Sequence, residues 1–239
     1  QKSNKPTRDM KKKPSDPTHA FFRQVKMMMR GNERFYELSK QRDYLDVPSQ
    51  VYCTDARTIP VEDDSVGLIV TSPPYVTSYE YADLHQLTAL WMEYTRNLSD
   101  FRKRFIGTSY HSKKNLVLNS SIAERTRKEL LKKDNKTAEE VSTYFSEMNQ
   151  VFVEMKRILK KGGKTCIVVG NTNLKGVSIP NAEVFVEQLR NLGLKIAEII
   201  KREIPSKNLP SVRDKKSGRF AKTSDKNKIY AYPTEYILV

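Results

Sequence analysis

Apolar residues along this chain change their spacing several times, and each change marks an element. From His19 to about Asp43 the positions Phe21, Phe22, Val25, Met28, Met29, Phe35, Tyr36 and Leu38 fall at helical intervals, which predicts a helix broken at Gly31. The period then shortens. Val51-Tyr52-Cys53 and Val66-Gly67-Leu68-Ile69-Val70 are near-continuous apolar runs, the pattern of strands buried on both faces, with Asp63-Asp64-Ser65 as the turn between them. Ser142 is placed to cap a helix with the stripe Tyr144, Phe145, Met148, Val151, Phe152, Met155, Ile158 and Leu159, stopped at Gly162-Gly163. A strand follows at Thr165-Cys166-Ile167-Val168-Val169 and ends at Gly170-Asn171. After Pro180 a helix is expected from Ala182 to about Leu192, with Gly193 as its stop. Ile196 to Ile204 and about Ile229 to Val239 read as an antiparallel pair.

This order predicts an α/β fold: an open, mostly parallel, Rossmann-like sheet closed by an antiparallel hairpin with one reversed strand. Ligands of such sheets bind beyond the carboxyl ends of the parallel strands. Asp55, the segment Thr71-Ser72-Pro73-Pro74-Tyr75 and Asn171 all lie at such ends. Between Tyr75 and Ser142 the chain is longer than a simple crossover needs, and Leu84 to Tyr94 plus Ile122 to Leu131 predict a helical insertion over about 80–140. Leu84, Leu87, Leu90 and Trp91 share a helix face, with Trp91 expected in the core and His85 at the surface or in packing. Residues 1–19 carry Lys, Pro and Asp with almost nothing to bury and read as a basic disordered arm, leaving 20–239 as one domain. The chain opens on Gln1, so residues are expected to be missing from its start.

Charge adds a partner to this picture. Lys plus Arg exceed Asp plus Glu by 15, and the pI is near 9.7, which favours a polyanion held through phosphate contacts or an anionic membrane surface. The stretch 205–228 concentrates the excess in Lys207, Arg213, Lys215, Lys216, Arg219, Lys222, Lys226 and Lys228 against Asp214 and Asp225, and its Pro205, Pro210 and Gly218 mark it as a loop. No apolar run approaches the ~20 residues that span a bilayer, so a soluble, cytoplasmic protein is expected. Cys53 and Cys166, at expected strand starts, read as reduced core thiols, and two cysteines with three scattered histidines build no metal site.

Thr71-Ser72-Pro73-Pro74-Tyr75 carries the candidate chemistry. Two prolines after a buried strand make a rigid corner, since each fixes its φ and neither donates a backbone hydrogen bond. The corner presents the Ser72 hydroxyl and main-chain oxygens to an amino group, and Tyr75 offers an aromatic face, an arrangement that suits a planar, amine-bearing base. The plainer account is a turn whose Tyr packs into the core. Asp55, likewise, is either a ligand contact or a turn carboxylate.

At these residues the sequence resembles the amino-methyltransferases of restriction-modification systems. Thr54-Asp55-Ala56, then Asp64-Ser65-Val66-Gly67-Leu68-Ile69-Val70-Thr71-Ser72-Pro73-Pro74-Tyr75, Arg157-Ile158-Leu159-Lys160-Lys161-Gly162-Gly163-Lys164 and Glu235-Tyr236-Ile237-Leu238-Val239 carry the likeness, which covers about 50–239 less the insertion. The Ser-Pro-Pro-Tyr form is typical of the cytosine-N4 enzymes. The resemblance implies S-adenosylmethionine as cofactor and DNA as partner in a nucleoid-associated setting, with Ser72, Pro73, Pro74 and Tyr75 as the pocket for a flipped-out base. It places Asp55, Ala56, Thr71 and Asn171 at the cofactor. Tyr79 and Tyr81 would line the base pocket or the DNA cleft, and Lys207, Arg213, Lys215, Lys216, Arg219 and Lys222 would follow the DNA backbone. Adenine N6 of DNA is the less favoured target; the main alternative is an RNA amino-methyltransferase acting on guanine N2 or adenine N6, whose related motifs more often begin with Asp or Asn, and a non-catalytic nucleic-acid-binding subunit is the alternative outside catalysis.

One departure matters. The family holds the methionine part of its cofactor with a glycine-rich turn of Phe-x-Gly-x-Gly character, and the nine glycines of this chain never occur two positions apart. Either a flanking segment is absent, or, as preferred here, a second polypeptide supplies the turn and the fold is incomplete without it. Phe21, Met27, Met28 and Met29 would then pack on that partner.

Overall fold

The computed structural model describes residues 13, 15–76, 81–108, 116–203, 212–214, 224, 226, 228–230 and 234–239, and the chain divides into a unit of residues 1–53 and a unit of 54–239. In the first unit α1 (Pro17–Gln41) starts within the expected arm and runs through Gly31 without a break. Asp16 caps it by accepting from the His19 N–H at 2.9 Å, with Pro17 at the first helical position. Phe21, Met27, Met28 and Met29 are exposed. Val51-Tyr52-Cys53 forms no strand: Val51 is 94% exposed and Cys53 is exposed rather than buried. A three-residue run has too few ladder bonds to hold itself extended without a neighbour.

The second unit is built on a four-stranded sheet, ordered β1 (Val66–Thr71), β2 (Leu159–Gly170), β8 (Thr234–Leu238) and β5 (Ile199–Glu203). β1 and β2 are parallel, and β8 is antiparallel to both β2 and β5. Three of the four strands therefore run one way and one is reversed, although only one of the three pairings is parallel. Val66 pairs with Leu159 and Leu68 with Lys164, so the chain loops out between those pairings, where Gly162 has a φ of +79°. The Gly-Gly pair thus shapes an irregularity at the start of β2 instead of a separate helix stop. Two short hairpins were not foreseen: β3 (Thr172–Leu174) with β4 (Val177–Ile179), and β6 (Val212–Asp214) with β7 (Lys228–Tyr230) inside the basic stretch.

Among the described residues five helices accompany the sheet: α2 (Tyr81–Trp91), α3 (Leu98–Arg102), α4 (Ser121–Leu131), α5 (Asn135–Ile158) and α6 (Asn181–Asn191). α5 begins two turns before Ser142, because Asp134 caps it through the Thr137 N–H at 2.6 Å and Ala138 and Val141 extend its apolar stripe. Ser142 instead donates to the Ala138 carbonyl at 2.6 Å. Tyr144, Phe145, Met148, Phe152 and Phe185 pack α5 and α6 against Ile69, Ile167, Val169 and Leu238, one face of the sheet. Gln188 ties the insertion to this core, donating to the carbonyls of Leu118 at 2.7 Å and Phe145 at 2.9 Å.

Within the second unit, no described helix packs on the other face. Strand alternation directs Leu68, Val70, Cys166, Val168, Ile237 and Ile200 away from α5 and α6, and the registers Val70↔Cys166, Val168↔Ile237 and Ile200↔Ile237 make them one surface. Leu68 is 60% and Val70 67% exposed. β1 is also an edge strand, paired on the β2 side alone among the described residues. On α2, Ala82 and Ala89 are buried while Leu84, Leu87 and Leu90 are exposed, and Trp91, expected in the core, is 87% exposed. α2 packs its small residues inward, so its large ones face out.

Candidate active site

Thr71 and Gly170 end adjacent parallel strands, and the Ser72–Tyr75 corner leaves the sheet there. Ser72 is exposed, Pro73 buried, and Pro74 and Tyr75 half-buried. The corner is fastened from below by α5, whose buried Tyr144 donates its hydroxyl hydrogen to the Pro74 carbonyl at 2.7 Å. Tyr75 packs on the core and donates its hydroxyl to Glu235 of β8 at 3.2 Å, and the same carboxylate pairs with Arg202 of β5. The proximity of Glu235 raises the Arg202 pKa still further. Tyr75 is thus both core-packed and presented at the strand ends. The Pro74 carbonyl is spoken for, and the groups left facing outward at the corner include the Ser72 hydroxyl.

One turn along α5 from Tyr144, Glu147 accepts from the Gly107 N–H at 2.5 Å and faces Arg57 at 3.7 Å. Arg57 grips Asp55 through two nitrogens, at 3.0 Å from Nε and 2.7 Å from Nη2. Hydrogen bonding to Asp55 raises the Arg57 pKa against the lowering effect of burial. Gly107, with φ +75°, presses so closely on Tyr144 that a Cβ would come within 2.8 Å of the ring. Asp55 and the Pro-Pro corner therefore hang from the same stretch of α5. A second clasp holds the chain between them: Glu154 accepts from the Ile59 N–H at 2.6 Å, and Arg157 bridges Glu154, Asp63 and the Ile59 and Val61 carbonyls. Arg157 and the Ile59 N–H hold the Glu154 carboxyl down to about 2.

The other sequence-predicted residues divide. Ala56 is exposed beside Asp55. Asn171 lies at the end of β2, but its side chain serves α6: Oδ1 accepts from the Ala182 N–H at 2.9 Å and Nδ2 donates to Glu183 at 2.9 Å. Tyr81 sits in the first turn of α2, and Arg213 in β6. Tyr79, Lys207, Lys215, Lys216, Arg219 and Lys222 lie outside the described residues. Tyr144, Glu147, Gly107 and Glu235 were missed as site residues. For Tyr144 a signal existed, because a phenol within a core stripe needs a hydrogen-bond partner.

Asp55 is already paired with Arg57, Asn171 with α6, and the described strand ends offer no closely spaced glycines for backbone to approach a sulfonium and an amino-acid carboxylate. Among the described residues no group of three or more His, Cys, Asp or Glu is placed to hold a metal, and no helix is long and apolar enough to cross a membrane.

Relatives share this stretch of chain. The Type II methyltransferase M.MvaI of Kocuria varians is 24% identical over 210 residues, 81% of this chain and 46% of its own length. M.AvaI of a Nostoc species is 26% identical over 158 residues, 58% of this chain and 33% of that protein. This chain thus spans about half the length of the first and a third of the second. A solved DNA modification methylase of Thermus thermophilus, complexed with S-adenosyl-L-methionine, aligns at 21% identity and a TM-score of 0.35, covering 77% of this chain and 51% of that one. The DNA methylase family model matches residues 66–239, from the first residue of β1 through the Ser72–Tyr75 corner to the strand carrying Glu235, so the chain belongs to the N6/N4 DNA methylase family.

Proposed function

We propose that this chain is the target-amine half of an S-adenosylmethionine-dependent DNA methyltransferase, acting most directly on cytosine N4. The observation that carries this reading is the Ser72–Tyr75 corner, fastened by Tyr144 at the ends of two parallel strands, within the segment that matches the family. A flipped base stacks on Tyr75, and its exocyclic amine donates to the Ser72 hydroxyl and the Pro73 carbonyl, which draws the nitrogen lone pair out of conjugation with the ring. Positioning supplies much of the acceleration. The cofactor supplies an electrophilic methyl group when bound. A second polypeptide with the glycine-rich turn holds its methionine part, and this chain contributes Ala56, Thr71 and the Asp55–Arg57 pair near the adenosine. The basic stretch 205–228 tracks the DNA backbone.

Transfer of labelled methyl to DNA and to RNA, with and without the glycine-turn polypeptide, tests the reading. Label on DNA cytosine N4 in the paired reaction supports it. Label on RNA assigns the chain to the RNA enzymes, and nucleic-acid binding without transfer in any combination makes it a binding subunit.

A further inference from the structure

α4 and the first turns of α5 follow the Pro-Pro corner in the chain and rise beside it, carrying an outward row of unpaired cations. We propose that this junction is a phosphate-contacting wall, in which Arg125, Lys128, Lys132 and Lys133 hold the backbone of the DNA duplex next to the target base. This rests on the reading of the corner as a target-amine pocket for DNA, and it gives the substrate a protein surface apart from the stretch 205–228.

Chain direction fixes where the wall stands. α5 passes directly into β2 at Ile158–Leu159, so the amino end of α5 points the same way as the carboxyl ends of β1 and β2. Tyr144 holds the Pro74 carbonyl, and the residues of α5 from Asn135 to Thr143, about 13 Å at the rise of an α-helix, extend beyond it. α4 climbs beside them. Its first residues are tied towards the carboxyl end of α6, where Ser120, Ser121 and the Ile122 N–H bind Glu187 and Asn191 donates to the Asn119 carbonyl at 3.0 Å. Its last turn leads into α5, with the Asp134 N–H on the Leu130 carbonyl at 2.8 Å. The β3–β4 hairpin leaves the carboxyl end of β2 and meets the same junction, where Lys175 faces Asp134 at 3.7 Å.

The charge on this wall is arranged for a chain of anions. α4 buries Ala123, Thr126 and Leu130, so Arg125, Lys128 and Lys132, each two positions on, lie in one row on the opposite side, at intervals of about 4.5 and 6 Å along the axis. Arg125, Lys128, Lys132 and Lys133 are all exposed, and none has an ion pair among the described residues. Of the acids nearby, Glu124 pairs with Arg127 at 3.8 Å, Glu140 with Lys136 at 3.9 Å and Asp134 with Lys175; Glu129 and Glu139 are the others, against those four cations together. Like charges three and four positions apart on a helix repel one another. Lys132 and Lys133 suit the carboxyl end of α4, but Arg125, nearly two turns earlier, gains nothing from that end. A row of phosphates satisfies all four and releases the counterions they hold.

The test is duplex binding by the natural full-length protein at a series of salt concentrations, with two triple variants that each remove three positive charges. Lys128→Gln, Lys132→Gln and Lys133→Gln together should reduce the slope of log affinity against log salt by about two to three units and weaken binding by at least about tenfold. Lys161→Gln, Lys164→Gln and Lys195→Gln, exposed near the amino ends of β2 and β5, should leave both unchanged. Both variants should melt at the temperature of the parent, because every altered side chain is exposed. A photo-reactive amino acid at position 132 or 133 should cross-link to the duplex, and one at 195 should not. An unchanged slope in the first triple, equal losses in the two triples, or no cross-link to DNA from 132 and 133 overturns the proposal. Methyl transfer is scored separately: in the active enzyme the wall variant should raise KM for DNA and keep kcat, whereas Tyr75→Ala lowers kcat. A reduced slope in a protein that transfers no methyl group removes the enzymatic reading and leaves the surface; transfer to DNA with the slope unchanged does the reverse.

Discussion

Tyr75 is held at both ends, its ring against the core and its hydroxyl on Glu235, so the aromatic face it offers at the strand ends is fixed rather than free to turn. Tyr75→Ala should therefore lower methyl transfer by the paired enzyme by about 10–100-fold, the worth of one stacked base, with duplex binding retained because phosphate contacts lie elsewhere. Near-normal turnover would remove the pocket. Ser72→Ala should cost less, since main-chain oxygens remain; a larger loss than at Tyr75 would assign the hydroxyl a specific role. Tyr144→Phe keeps the packing and loses the bond to Pro74, a change of about 1 kcal/mol in stability, readable by denaturant titration. The corner itself was legible because its residues are contiguous. The phenol of Tyr144 within a core stripe signalled the need for a partner but not which one, 70 residues away, and Gly107 and Glu235 were not legible, since their contacts join positions 40 and 160 residues apart and leave no local pattern.

At the scale of elements, α5 does the organising, and its length was the main thing misread. Nine of its residues precede the tyrosine that was taken to open its stripe, because the capping signal lay at Asp134 while Ser142 bonds back to its own helix. The Val51–Cys53 run failed for the opposite reason: its composition suits a strand, but pairing decides strands, and the run enters none of the described ladders. The clasp of Glu154 and Arg157 on residues 59–63 makes a pH prediction. Glu154 is lowered from 4.5 to about 2, so its stabilisation is complete above pH 4.5 and is lost as pH falls towards 2. Glu187 titrates over the same window: burial would raise it, but hydrogen bonds from Ser120, the Ile122 N–H and Ser121 outweigh that and hold it at about 2. Glu154→Gln should thus reduce the pH dependence of unfolding between 4.5 and 2 by about one proton and leave the share of Glu187 in place. An unchanged slope would mean the clasp is not formed in solution. In the basic stretch, neutralising Lys215, Lys216 and Arg219 together should flatten the salt dependence of DNA binding by up to about three units of slope; no change would turn that stretch away from DNA.

For the whole molecule, the alternation of apolar runs indicated an α/β sheet with a reversed strand, and the sheet has it. What the runs could not indicate is that β1 is paired on the β2 side alone among the described residues, because a two-sided strand reads the same whether or not its second neighbour is present. The isolated chain should accordingly bind S-adenosylmethionine weakly or not at all and gain activity with the glycine-turn polypeptide; micromolar binding in calorimetric titration with full turnover alone would refute this. The place of β8 has a further consequence for how the molecule is made. It comes last of the described strands, yet it lies between β2 and β5, so during synthesis β5 has no neighbour among the described strands until residues 234–238 have left the ribosome. At about 5–20 residues per second β5 waits on the order of seconds. Glu235 arrives on that same strand, so the support for Tyr75 is completed last, and a premature stop before Thr234 would yield a polypeptide with α5 and the Pro-Pro corner but with β5 unpaired and the tyrosine unbraced.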